Sequence, residues 1–191
     1  PQVRDDPSAD GWETEVLATN AGRQLKALGD LFFKEGSADL AALLAPGFTC
    51  EPLVPSGMRP VLEDDLVLVE RPASSTPGTA REKALENALA EIRKLSGSGG
   101  GNHQDVEFKV VGVSPGSTGD TFQTQVIFSL SFSTGEALVE HHATWLMDWI
   151  HGPGQADLPT LTHLAVRDFS RTTTKRTTPL YSDVTASALG D

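Results

Sequence analysis

The longest regular pattern of the chain lies between Thr121 and Ile150. Phe122, Val126, Phe128, Leu130 and Phe132 alternate with Gln123, Gln125, Ser129 and Ser131. A period of two predicts a half-buried strand over residues 121–132. Gly135 supplies a turn, and residues 138–150 return as the partner strand, so a long antiparallel hairpin forms the floor of a domain. In the returning strand Val139, His141, Ala143, Trp145, Met147 and Trp149 share one face. Glu140, His142, Thr144 and Asp148 share the other, with Leu138, Leu146 and Ile150. The first set is the more apolar and is assigned to the interior. His141 and His142 then point to opposite faces and cannot hold one metal ion together.

Upstream the period is helical. Asp10 and Glu13 form a capping box, and Val16, Leu17, Ala21, Leu25, Leu28, Leu31 and Phe32 follow at helical spacing up to a stop at Gly36. This predicts one long amphipathic helix over 11–35. Ser37 caps a short second helix, 38–45, which Pro46 and Gly47 end. Residues 48–53 read as a strand. Pro52, Pro55, Gly57 and Pro60 then break the chain, with one short strand at 66–70. The rest of the 54–78 stretch reads as loop. Thr79 and Glu82 make a second capping box for a third helix, 80–95, with an apolar stripe of Leu85, Ala88, Leu89, Ile92 and Leu95. The glycine-rich run at 96–102 follows a helix and does not lead into one. No helix amino terminus is therefore offered to a phosphate, and the run reads as a link. Strands at 106–114 and 161–169 complete the set, with a polar, threonine-rich tail after 170. In the last strand Leu161, His163, Ala165, Arg167 and Phe169 alternate with Thr162, Leu164, Val166 and Asp168. Either set can face inward.

Helices first and consecutive strands last make an α+β protein, with one curved antiparallel sheet wrapped around helices. A chain of 191 residues with 38% apolar content builds one domain with tails. No apolar run nears the 18 or so residues that a membrane-spanning helix needs. The opening Pro-Gln-Val-Arg-Asp-Asp is not a signal peptide, and a removed signal would leave no trace. A net charge of −11 excludes holding a polyanion such as nucleic acid by bulk electrostatics. Arg167, Arg171, Lys175 and Arg176 form a local basic run that reads as a solvated tail. Cys50 is the sole cysteine, so an internal disulfide and a multi-thiolate zinc site are both excluded; it reads as a buried, inert thiol.

The order of elements, with "SADLAALLAPGFTCEP" at 37–52, "EHHATWLMDW" at 140–149 and "LTHLAVRDF" at 161–169, resembles the NTF2-like (SnoaL-like) superfamily over residues 11–170. The resemblance implies a cone: a curved sheet around three helices from the N-terminal half, a pocket on the concave side for a small apolar molecule, and pairing of two copies through the outer sheet face. Ile127, Leu138, Leu146 and Ile150 are the apolar residues such a homodimer would bury. The segment "PLYSDVTASALG" at 179–190 is similar to the F-x-D-V-T opening of FG-GAP/VCBS propeller proteins of the ASPIC/UnbV kind. That likeness implies an amino-terminal module of a larger exported bacterial protein, extracellular or periplasmic. Residues 1–10 would be a flexible lead, and 171–191 a tail or linker to a propeller domain.

No motif names an activity. The ligand-binding candidates are His141, Trp145, Trp149 and His163: aromatic walls for an apolar guest, and an imidazole to orient it or move a proton. The plainer reading makes the tryptophans core and the histidines satisfied by their neighbours. Enzymatic work of the isomerase, dehydratase or cyclase type needs a carboxylate base in the same pocket, for which Asp148 and Asp168 are the candidates. Parity puts Asp148 outside. No cofactor loop and no metal-ligand spacing is found. The expectation is a non-catalytic module that binds a small apolar ligand or a neighbouring domain, with a small pocket enzyme as the alternative.

Overall fold

The computed structural model describes residues 12–33, 37–74, 78–97, 104–134, 137–151 and 158–175. Several expectations fall outside these: the 1–10 lead, the caps at Asp10 and Gly36, the turn at Gly135, Arg176 and the 179–190 segment. The described elements, in chain order, are α1 (Trp12–Phe33), α2 (Ser37–Leu43), β1 (Leu44–Cys50), β2 (Met58–Glu63), β3 (Val67–Pro72), α3 (Ala84–Gly97), β4 (Gln104–Pro115), β5 (Thr121–Thr134), β6 (Ala137–Ile150) and β7 (Thr160–Thr174). The fold is α+β, as the order of periodicities predicts.

One sheet runs β2-β3-β7-β6-β5-β4, antiparallel throughout. The free side of β7 serves two strands. Its first part pairs in parallel with β1, through Leu161, His163 and Leu164, and its last part pairs with β3 at Arg171–Thr174. The central hairpin β5–β6 is regular from Thr121↔Ile150 to Thr134↔Ala137. Its neighbours are bent by bulges, in β4 near Val111 and in β7 near Thr162 and Asp168. Such bulges increase local twist and let a sheet curl. Asp168 carries the cost as a non-glycine residue at φ 51°.

The helices cover one face. Leu17, Ala21, Leu25, Leu28, Leu31 and Phe32 of α1, with Leu85, Leu89 and Ile92 of α3, join the inward side chains of β5, β6 and β7 in a single core. Gly29 lets α1 lie close on β4, where a Cβ would stand 3.3 Å from Cε2 of Phe108. Arg93 of α3 donates from Nε to the Leu31 carbonyl at 2.9 Å, satisfying an acceptor that the last turn of α1 leaves open. Among the described residues no helix is long and apolar enough to cross a membrane.

Three local expectations are corrected. The third helix begins at Ala84 and not at residue 80. Arg81 exchanges both backbone hydrogen bonds with Cys50, at 2.9 and 3.0 Å, so its backbone is committed to the sheet and the Thr79/Glu82 pair caps nothing. The proline-broken stretch after β1 contains β2, which the sequence pattern hides. Its proline, Pro60, sits on an exposed edge strand beside a bulge, where a missing amide costs no ladder bond. The basic run near the end is not a solvated tail. β7 extends to Thr174; Arg167 pairs with Glu51, Arg171 pairs with Glu70, and Lys175 donates to the Asp64 carbonyl.

Candidate functional site

The inward residues of β6 read, from its C-terminal end, Trp149, Met147, Trp145, Ala143, His141 and Val139. The interior changes character along that row. Trp149 stacks on Phe122 with centroids 6.1 Å apart and donates from its indole nitrogen to the Thr124 hydroxyl at 2.9 Å. Trp145 stacks on Phe128 at 4.1 Å, with Phe32 and Phe108 around it. Both tryptophans are fully buried. Large rings fill this half of the interior, and neither tryptophan lines the cavity that opens beyond them.

Past Ala143 the filling stops. A cavity of about 1020 Å³ opens between α3, β3 and the ends of β5, β6 and β7. Its apolar walls include Leu53, Leu68, Ala88, Ile92, Phe132 and Val139. Side-chain size contributes to the opening: α3 turns the small Ala84 and Ala88 to the cavity, beside Asn87, Glu91, Ile92 and Leu95, while Leu85 and Leu89 lie buried in the core.

His141 stands at the inner wall of this cavity and is only 5% exposed. Phe132 meets its ring edge-on at 5.7 Å and Phe169 lies at 5.2 Å. Burial, then the positive charge of Arg171, then that of His142, push its pKa down to about 4. The imidazole is therefore neutral at physiological pH, one nitrogen a donor and the other an acceptor. Directly across from it on β7 is Arg171, and directly across from Arg171 on β3 is Glu70. The guanidinium Nε and a terminal nitrogen both reach Oε2 of Glu70, at 2.8 and 2.7 Å. Three adjacent strands thus present imidazole, guanidinium and carboxylate in one row on the cavity wall. Arg81, Lys83 and Glu91 also line the cavity and are exposed.

Of the four ligand-binding candidates, only His141 reaches this cavity. His163 pairs with Asp148 across β6 and β7, which places it on the outer face, where its Nδ1 lies 2.9 Å from the Thr49 hydroxyl. The bulge near Thr162 shifts the parity there and brings Leu161 and Leu164, not His163, inward. Asp148 lies outside as expected and accepts from Gln123 at 2.8 Å. Asp168 is exposed at its bulge. Two carboxylates line the cavity, Glu70 in the polar row and the exposed Glu91 of α3, and the sequence pattern singles out neither. On the outer face Ile127 and Ile150 are exposed and Leu138 and Leu146 half-buried, set among Gln123, Ser129, His142 and Asp148.

Cys50 is fully buried, and burial, then the charge of Glu51, raise its pKa to about 12, which makes it inert as a nucleophile. Glu51 itself accepts from the Val166 amide at 3.0 Å and from Arg167 at 2.7 Å, tying β1 to β7. Among the described residues no group of three His, Cys, Asp or Glu side chains is arranged to hold a metal ion.

No family model and no curated protein matches the chain. Among solved structures, a chain titled "Rd1NTF2_04 with long sheet" superposes with a TM-score of 0.41 and 13% identity, over 76% of this chain and 98% of that one.

Proposed function

We propose that the protein is an NTF2-like ligand-binding module whose cavity beside α3 takes a small, mostly apolar molecule. The observation that carries this reading is the cavity itself: about 1020 Å³, apolar-walled, with convergent polar groups from three strands at one place. An interior that is close-packed from Trp149 to Trp145 and then left open is a specific departure from filling the core. The reading is non-catalytic because Arg171 closes on Glu70, the carboxylate in the same row as His141, and so engages the group that would serve as a base. The similarity of residues 179–190 to the start of propeller repeats supports placing the module within a larger exported protein.

The test uses 1-methylpyrene, an apolar fluorophore, titrated into the protein. Saturable binding with one site per chain is expected, and Ala88→Trp, which puts an indole into the cavity, should abolish it while urea unfolding remains cooperative. Binding that Ala88→Trp leaves unchanged would place the guest elsewhere and end this reading.

A pocket enzyme is the second reading, favoured by the presence of His141 and Glu70 on one wall. It requires that His141→Ala and Glu70→Gln each abolish conversion of a bound substrate without loss of binding. Conversion that survives both variants excludes these residues as its acid and base.

A further inference from the structure

The polar row inside the cavity specifies what kind of head group the guest carries, an inference that rests on the ligand-binding reading above. Its three members leave no net charge to satisfy. The His141 ring is neutral, and the Arg171 guanidinium is matched by Glu70. Nε and Nη2 of Arg171 both meet Oε2 of Glu70, so Oε1 takes neither of them. A guest with a carboxylate would set a second anion against Glu70 in competition for one guanidinium. A guest with an ammonium would set a second cation beside Arg171. In a partly desolvated place either arrangement leaves a charge short of its partner, which costs more than a neutral group that finds its hydrogen bonds. A hydroxyl has a proton to give and lone pairs to receive with. It can donate to the Glu70 carboxylate while accepting from Arg171 or from the protonated nitrogen of His141, and it leaves the ion pair intact.

We propose that the cavity binds an apolar alcohol head first, its hydroxyl seated among His141, Arg171 and Glu70 and its hydrocarbon body against Phe132, Val139 and Ile92. The charged residues Arg81, Lys83 and Glu91 line the cavity where it is exposed to solvent, and are left to the outer end of the guest.

The test is a matched series of fluorophores on the whole chain: 1-methylpyrene, 1-pyrenemethanol, 1-pyrenecarboxylate and 1-pyrenemethylammonium. 1-Pyrenemethanol should bind at least about tenfold more tightly than each of the others. Glu70→Gln frees the guanidinium and should turn the preference toward the carboxylate. Arg171→Met frees the carboxylate and should turn it toward the ammonium. The two variants fail in opposite directions, so general misfolding cannot imitate the result. Equal affinity for methylpyrene and pyrenemethanol would overturn the head-group assignment and leave the ligand-binding reading standing. A wild-type preference for the carboxylate would overturn it as well. Absence of binding by all four would remove both.

Discussion

His141 should make the protein lose stability in mild acid, by an amount the structure sets. Its folded pKa is about 4 against an ordinary 6.5, chiefly because the ring is buried. Between these values the unfolded chain binds a proton that the folded chain refuses, so stability rises with pH across this window. The contribution is fully present above pH 6.5, falls as the pH drops below it, and levels off below about 4. At about 1.4 kcal/mol for each pH step of one, the whole gap is worth roughly 3 kcal/mol, of which roughly 2 is lost between pH 7 and pH 4.5. Other groups titrate in the same range, so the quantity to read is a difference. His141→Gln keeps a polar side chain in place and removes the proton site. Urea unfolding followed by tryptophan fluorescence at pH 7, 6, 5 and 4.5 gives ΔG for both proteins. The variant should gain on wild type steadily as the pH falls, by roughly 2 kcal/mol at the acid end. A gap between the two that stays constant within about 0.5 kcal/mol would mean the ring is not held neutral by burial, and the description of the cavity wall would fail with it.

Three further outcomes follow from neighbouring features. Trp149→Phe should cost about 1–2 kcal/mol more than Trp145→Phe, since the first leaves the buried Thr124 hydroxyl without its donor while the second removes an indole nitrogen that has no partner among the described residues; paired urea melts decide it. Asp168→Gly should leave the melting temperature unchanged or raise it, and Asp168→Val should cost at least about 1 kcal/mol, because φ 51° suits glycine and crowds a β-branched residue. Cys50 should resist an aromatic disulfide reagent in the native protein and react only as fast as the chain unfolds, its thiol being buried and held at about 12. Labelling of native protein at the rate of a free thiol would refute that burial.

The fold is legible wherever a side chain's period reports which face it occupies. The β5–β6 hairpin is the clearest case: the alternation that assigns Phe128, Phe132, His141 and Trp145 inward matches their burial residue for residue. The stripe on α1 works the same way, because a long element repeats its signal several times. Failures come where backbone hydrogen bonds decide and side chains do not. Nothing local in Arg81 says that its amide and carbonyl belong to Cys50, thirty-one positions earlier, yet that exchange delays α3 to Ala84. Pro60 breaks a pattern without breaking a strand, since the edge it occupies asks for no amide. In β7 the alternation is regular in sequence but not in space, and no side-chain pattern announces the bulges that reset it twice.

Those same failures account for what was visible of the site. His141 lies on a strand of strict parity, so its inward position could be read directly. His163 lies one residue beyond a bulge, and counting by twos across that bulge leaves its face undecided. Glu70 and Arg171 are hidden as site residues for a different reason. Each looks like an ordinary surface charge within its own segment, one in a proline-broken stretch and the other in a basic run near the end. They become a site only because β7 lends one half of its free edge to β1 and the other half to β3. That division of the edge sets Glu70 opposite Arg171, and the antiparallel partner β6 sets Arg171 opposite His141. The polar row of the cavity is thus a product of strand order, with its members drawn from positions 70, 141 and 171. Moving β3 by a single residue along β7 would turn Glu70 to the other face of the sheet and leave a half-buried guanidinium without this partner. The register of this short strand, whose own residues are all half-buried or exposed, is accordingly held by the demands of the cavity as much as by its ladder.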